Sequence, residues 1–567
     1  MQIHFEDKIF NLDAGELMKT ETDLYLKSPH FSTVFGLDCI FDFRTLSVRV
    51  DTKLDLPLIR EMRQAEMRKN LSIIKGEVEA DTSIGRSYPL FKFGMADWAA
   101  IATEEIDGES EVRANLTLGA MIAGGEATAS LNYDSRIPFT EKQQFYMWRY
   151  VNNDMSYLRQ VRAGKIFTNS VATIYDPVVG VQLTNTPSSF RRSYGSYTLS
   201  DKTEPEWIVE LYVNNVLVDY VKADASGFFT FEVPIVYGNT MVKLKFFSPW
   251  GEERVREQNI NIPFNFLPVN TLEYNISAGF VEDSEFSKFS RASLDYGLSR
   301  RITIGTGIEY LSSLTTNPFM PFFNASLRVT NNLLLTGDYV YGVKTGGALT
   351  YRLPSNIQFD LKYIYYEKDQ EAINFNYREE RKAIVSLPLR IKNFSAYNRF
   401  TFNQLVLPTS SYTSGEWLFS SSILGVNTNL TTYAIFAGKS DPYVYSNLSL
   451  AFRLPWRILL MPQTQYAYTR SSFLTAKVKI EKPLFDRAYL TASYERDFRT
   501  QMHMAEVGFR YNFSFAQTGV SARYSNRETT LVQYARGSLI TDARSKYFKA
   551  GNRTNVGRGG VIIKPFL

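Results

Sequence analysis

Side chains able to do chemistry are sparse in this chain of 567 residues. Its one cysteine, Cys39, has no internal disulfide partner and cannot build a Cys-based zinc site. Leu37-Asp38-Cys39 lacks the apolar run of a lipidation signal, so Cys39 reads as a small buried hydrophobe. The three histidines, His4, His30 and His503, are too scattered for an acid/base or metal cluster. Met502-His503-Met504 with Glu506 offers donors to a soft metal, yet the alternation around it is that of a strand, and residues facing a lumen or turn are the simpler reading. Neither a glycine-rich phosphate loop nor a Ser/His/Asp spacing occurs. Catalysis needs a positioned nucleophile, acid/base pair or metal, so the chain reads as a non-enzyme with no cofactor and no metal. The balance of 63 Lys+Arg against 58 Asp+Glu is spread along the sequence and leaves no nucleic-acid footprint.

The elements that carry these residues announce themselves through aromatic content and period. Phe, Tyr and Trp make up 14% of a chain whose mean hydropathy is only −0.21. No apolar run is long enough for a membrane-spanning helix. Period-2 alternation is pervasive instead. Val112, Ala114, Leu116 and Leu118 interleave with Arg113, Asn115 and Thr117; Tyr274, Ile276, Ala278 and Phe280 with Glu273, Asn275, Ser277 and Gly279; Phe509, Tyr511 and Phe513 with Arg510 and Asn512. Half-buried soluble sheets also alternate, and a very large soluble β-sandwich array is the competing architecture. Three features favour a transmembrane antiparallel β-barrel: segments of about ten residues, a polar face with charges of both signs, and an apolar face ending in rings.

Counting segments gives about six strands before residue 200 and eighteen after residue 265, hence an all-β barrel of about 24 strands. Between them the pattern shortens to Trp207–Asn214, Val216–Lys222, Phe228–Pro234, Met241–Phe247 and Val255–Pro263, separated by turn residues. That is a small inserted β-sandwich. A barrel this wide left open would leak, so a plug is the reading favoured here, with an ornament outside the lumen as the alternative. The expected organisation is an N-terminal α+β module with an amphipathic helix (1–71), barrel strands one to six (72–195), the sandwich (196–263), strands seven to 24 (264–550) and the start of a further sandwich domain (551–567).

The layout of six strands, a small sandwich and eighteen strands resembles the fimbrial ushers of the chaperone/usher secretion pathway. Ser226-Gly227-Phe228-Phe229-Thr230-Phe231 is similar to the usher plug segment, although Phe228 stands where that family has proline and Phe229 where it has a polar residue. Gly238 to Gly251 is similar to the pair of strands that follows, and Ile262-Pro263 with Leu267-Pro268 to the proline exits leading back to the barrel. Asn270 to Gly279 resembles the first strand after the plug, and Leu158 to Lys165 a strand shortly before it. The resemblance implies a plug gated through Ser226, Gly227, Phe228, Phe229, Gly238, Gly251, Pro263 and Pro268. It also implies location in the outer membrane of a Gram-negative bacterium, with outer-membrane lipid around the barrel, the N-terminal module in the periplasm, and chaperone/subunit complexes and pilus-like subunits as partners.

The ends are less uniform. Met1 to Phe10 is charged and has no apolar signal core, the mark of a mature form or a fragment. Residues 1–55 alternate short strands with a helix near Pro29 to Leu37. Leu56 to Leu71 is amphipathic with a basic face, suited to a membrane surface or to packing against the barrel rim. Gly557 to Leu567 reads as a turn and a first sandwich strand, or as an aromatic end signal at Phe566. The alternation places Arg113, Glu273, Arg291, Asp295, Arg328, Asp338, Asp360, Lys362, Arg453 and Arg510 on the lumen face. Their mixed sign suits a broad conduit over a small-ion filter. Three functions stay open: an usher-like export channel for pilus or surface-fibre subunits, a channel exporting another polymer or protein, and a plugged nutrient porin.

Overall fold

The computed structural model describes residues 2–5, 8–12, 15–19, 24–35, 37–42, 47–52 and 88–552, the last without 107, 167, 189–191, 204–206, 214–215, 224–227, 237–240, 248–252, 262–265, 331, 356, 392–393, 424, 439, 486, 527 and 543–546. The expected helix at Leu56 to Leu71, the end from Gly557 to Leu567, and the side chains of His4 and Cys39 lie outside the described residues. The chain divides into two compact units, Met1–Ser72 and Ile73–Leu567.

In the first unit three short hairpins pair Gln2–Phe5 with Lys8–Asn11, Leu17–Lys19 with Leu24–Leu26, and Leu37–Asp42 with Ser47–Thr52. A helix, Ser28–Phe35, has Pro29 in its first turn, where a missing N–H costs nothing. His30 Nε2 lies 3.1 Å from Glu16 Oε1 and ties the helix to the preceding turn.

The second unit is a closed antiparallel barrel of twenty-four strands with an insert. Six strands run from Phe91–Glu105 to Val178–Thr184, and eighteen from Leu272–Val281 to Glu528–Asp542. The barrel closes by pairing the last strand with the first, in unbroken register from Thr530↔Glu105 to Ile540↔Met95. A short extra strand, Tyr547–Gly551, pairs with Ser538 to Asp542, beyond the point where the strand Gln517–Ser525 ends, and so covers the overhanging edge. An even strand count returns the chain to the end of the barrel from which it set out.

Alternation decides which face each residue takes. Along Leu272–Val281, Leu272, Ile276 and Phe280 are about half exposed while Ser277 and Val281 are buried. Phe400, Phe402 and Trp417 likewise face outward, opposite in parity to Arg399, Thr401 and Glu416. A continuous outward surface of large apolar side chains belongs in a bilayer, because water would exact the full cost of that exposure.

Strand length departs from the uniform ten residues expected. Glu379–Ile391 and its two successors have 13 residues, whereas Gln160–Ile166 and Val178–Thr184 have seven. These two are short because the chain between them leaves the wall and folds inward. Next to that departure, Gly164, Gly180 and Gly279 stand in register across three neighbouring strands. A side chain at Gly180 would run into the backbone of Ala278 and Gly279, and Gly164 has φ +112°. Backbones on the inner face approach so closely here that only glycine fits.

Candidate functional site

The insert occupies the connection between the sixth and seventh strands. It forms a two-stranded sheet (Arg192–Lys202 with Phe228–Val236) and a four-stranded sheet ordered Val216–Lys222, Ile208–Val213, Met241–Phe247, Glu253–Asn261. Alternate residues fill the space between the sheets: Phe229, Phe231 and Val233 from one, Val209, Leu211, Val242, Leu244 and Phe246 from the other. Phe229 meets Phe231 and Phe246 edge-on, each at 5.7 Å between ring centres.

The insert is anchored to the inner wall of the barrel. Leu334, an inward residue of the strand Leu333–Val340, joins the sandwich core together with Phe266. Arg328 lies over the Phe266 ring at 4.6 Å. Phe228 has the opposite parity to Phe229 and leaves the sandwich core to pack on Tyr397 and Leu418, its ring 4.5 Å from that of Tyr397. The chain then returns to the wall through Leu267, whose N–H donates to Thr303 Oγ1 at 2.9 Å, and Pro268, whose carbonyl accepts from the Thr271 N–H. Of the residues expected to gate a plug, Phe229 is thus in the core, Phe228 at the wall and Pro268 in the exit turn. Ser226, Gly227, Gly238, Gly251 and Pro263 lie outside the described residues.

The ten charges expected on the lumen face share the inward parity, and most meet a partner there. Arg113 pairs with Glu111 and Asp134. Glu273 accepts from Thr186 and stands opposite Asp295. Arg291 pairs with Glu309 at 2.6 Å and covers the Phe322 ring. Asp338 faces Lys344 at 3.6 Å, Asp360 accepts from Thr350 and Gln358, and Lys362 pairs with Glu380 at 3.1 Å. Arg453 stands opposite Leu459, and Arg510 lies over Tyr489 at 4.6 Å. Charges so matched leave no single-sign ladder on these positions.

The end of the barrel away from the insert holds an arrangement that sequence reasoning missed. Residues 168–177, between the fifth and sixth strands, turn inward and are pinned by Glu309, which is fully buried. Its carboxylate accepts from Ser170 Oγ at 2.7 Å and from the Val171 and Ala172 N–H groups at 2.8–3.0 Å, besides its pair with Arg291. A second loop, 367–378, reaches across to the first: the Thr173 N–H donates to the Ala372 carbonyl at 2.8 Å. Glu371 accepts from both Thr315 and Thr316, and these hydrogen bonds hold its carboxyl well below the usual carboxylate range, at about 2. Ala172, Ala372, Phe289, Met320 and Phe322 form one buried apolar cluster beneath the two loops. Beside it Lys165 and Glu282, both buried, pair at 2.5 Å. The one available signal was a glutamate at inward parity, Glu309, two residues from the end of the strand Ile302–Leu311. Among the described residues no three His, Cys, Asp or Glu side chains group to hold a metal ion.

No family model matches the chain, and no curated protein matches it in sequence. Solved structures do resemble it. An E. coli P pilus tip assembly intermediate, PapC-PapD-PapK-PapG, superimposes with a TM-score of 0.57 at 11% identity, over 91% of this chain and 67% of the other. The P pilus usher (PapC) translocation pore gives 0.48 at 11% identity, over 78% and 99%. Pseudomonas aeruginosa OpdQ gives 0.23 at 8% identity, over 80% and 98%. The first of these likenesses extends to the fold.

Proposed function

We propose that the chain is an outer-membrane export channel of usher type, which passes chaperone-delivered pilus or surface-fibre subunits and is closed at rest by its insert. The barrel sits in the outer membrane of a Gram-negative bacterium, the Met1–Ser72 unit works in the periplasm, and the chain is a conduit and not a catalyst. The observation that carries this reading is the anchoring of a folded sandwich to the inner wall through Phe228, Tyr397 and Leu418.

Size supports it. Twenty-four strands spaced about 4.8 Å apart and tilted about 40° give a backbone radius of roughly 24 Å, so inward side chains leave a bore of roughly 35–40 Å. A compact domain of about 70 residues has a radius of gyration near 11 Å and is roughly 28 Å across. The insert fits such a bore, and so does a folded subunit once the insert has left. Subunits arriving in sequence would then join by strand addition, each main-chain ladder replacing a poorer one.

Deleting residues 200–263 tests the plug: single-channel conductance in planar bilayers rises severalfold, and an unchanged conductance refutes it. Export is tested by supplying the full chain with periplasmic chaperone/subunit complexes encoded beside its gene. Surface fibres form with the intact chain and fail without it; retention of fibres in its absence removes the usher reading.

A further inference from the structure

Charge lines most of the inner wall. Asp360, Lys362 and Glu380 occupy it on one side, and Lys477 and Glu495 on the other, paired at 3.2 Å. Three successive strands between these regions, Val426–Ala437, Tyr443–Leu454 and Ile458–Ala467, break the rule. Register puts Asn429, Tyr433, Tyr445, Asn447 and Gln465 on their inner face, and Arg453 is the one charge there. Tyr433 and Tyr445 are directly opposite and nearly parallel, 5.0 Å between ring centres with planes 22° apart. One ladder position nearer the insert end, Thr431, Asn447 and Gln465 form a row across the three strands, with Asn429 one position further on. Asn429 is 3% exposed, and its Nδ2 and the Asn447 Oδ1 are both buried without a hydrogen-bond partner.

We infer that this sector is a binding track for a neutral polyhydroxyl chain, a carbohydrate. Each sugar hydroxyl both donates and accepts, and a side-chain amide answers with both, carrying two donor hydrogens and a carbonyl acceptor without any charge. Carboxylates and ammonium groups would instead gather ions, and the sector has almost none. A pyranose ring presents a flat C–H face, which the Tyr433–Tyr445 pair matches as a stacking surface. The unpartnered Asn429 donor and Asn447 acceptor give the track unused hydrogen-bonding capacity, a rarity in a folded protein. A polypeptide would find neither an open strand edge nor charge complementarity here, since every strand in the sector is already paired on both sides.

The test uses the full chain in detergent micelles, titrated calorimetrically with maltohexaose and with chitohexaose. At least one binds, in the millimolar range typical of few-contact recognition, at about 1 mM. Tyr445→Ala weakens binding by about tenfold, Tyr445→Phe keeps the ring and stays within about twofold, and Asn447→Asp weakens binding by introducing charge at unchanged size. Lys477→Ala, in the neighbouring charged sector, leaves it as it was. Failure of both hexasaccharides to bind overturns the inference. So does binding that Tyr445→Ala and Asn447→Asp both leave intact, or that Lys477→Ala weakens as much as they do.

Discussion

Glu309→Ala should free the inward loop of residues 168–177 while sparing the barrel. Glu309 is fully buried, pairs with Arg291 at 2.6 Å and accepts from Ser170, Val171 and Ala172. The substitution orphans two loop amides and leaves Arg291, which is 17% exposed, beside an empty space. Breaking a buried pair by removing one partner costs about 3–5 kcal/mol. At about 1.4 kcal/mol per decade, the open loop becomes roughly 100- to 3,000-fold more populated. Backbone amide exchange reads this directly, because the Val171 and Ala172 N–H groups are held by the carboxylate itself. Their exchange should accelerate by that factor, while the ladder amides of Leu272–Val281 hold their rates. Unchanged exchange at Val171 and Ala172 refutes the pinning. Equal acceleration along Leu272–Val281 refutes it too, since the carboxylate would then support the wall and not the loop. In bilayers the same variant should open more often at rest.

Other perturbations separate the remaining contacts. Phe228→Ala removes a ring that is 8% exposed and packed on Tyr397 and Leu418, weakening the seat of the insert by about 3 kcal/mol; limited proteolysis should cut the insert faster with the barrel intact, and equal cleavage rates count against the anchor. Lys165→Met strands the buried Glu282 carboxylate and should lower stability by about 3–5 kcal/mol in thermal unfolding, whereas Lys165→Met with Glu282→Leu recovers most of it; a double variant as unstable as the single one removes the ion-pair account. Glu371 has a folded pKa depressed to about 2, so its contribution is present above the ordinary carboxylate range and lost only as pH falls through about 2. Protection of the Thr315 and Thr316 amides should therefore persist at about pH 4, and its loss there would contradict the clasp.

The barrel is legible in the sequence because each strand carries its instructions locally. Tyr274, Ile276 and Phe280 set against Glu273, Asn275 and Ser277 state both the period and the face, and a one-residue slip would reverse them all. The insert is legible for the same reason: Phe229, Phe231 and Val233 alternate at a shorter length between turn residues. The helix expected near Pro29 to Leu37 is Ser28–Phe35, and the strand holding Met502, His503 and Met504 is Met502–Asn512. What could not be read depends on partners far along the chain. Nothing in residues 168–177 says that they fold inward, because their counter-group, Glu309, lies 137 to 139 positions away. The split of the inner wall into charged and amide-lined sectors likewise exists only across strands, once register has brought Tyr433 to Tyr445 and Asn447 to Gln465.

The glycine row through Gly164, Gly180 and Gly279 bears on the seam that carries the insert. Gly180 and Gly279 belong to the two strands that flank the insert, and their backbones meet where any side chain would collide. A larger residue at either position would have to push those two strands apart, so the absence of side chains is what keeps the wall closed where the inserted domain leaves and rejoins it.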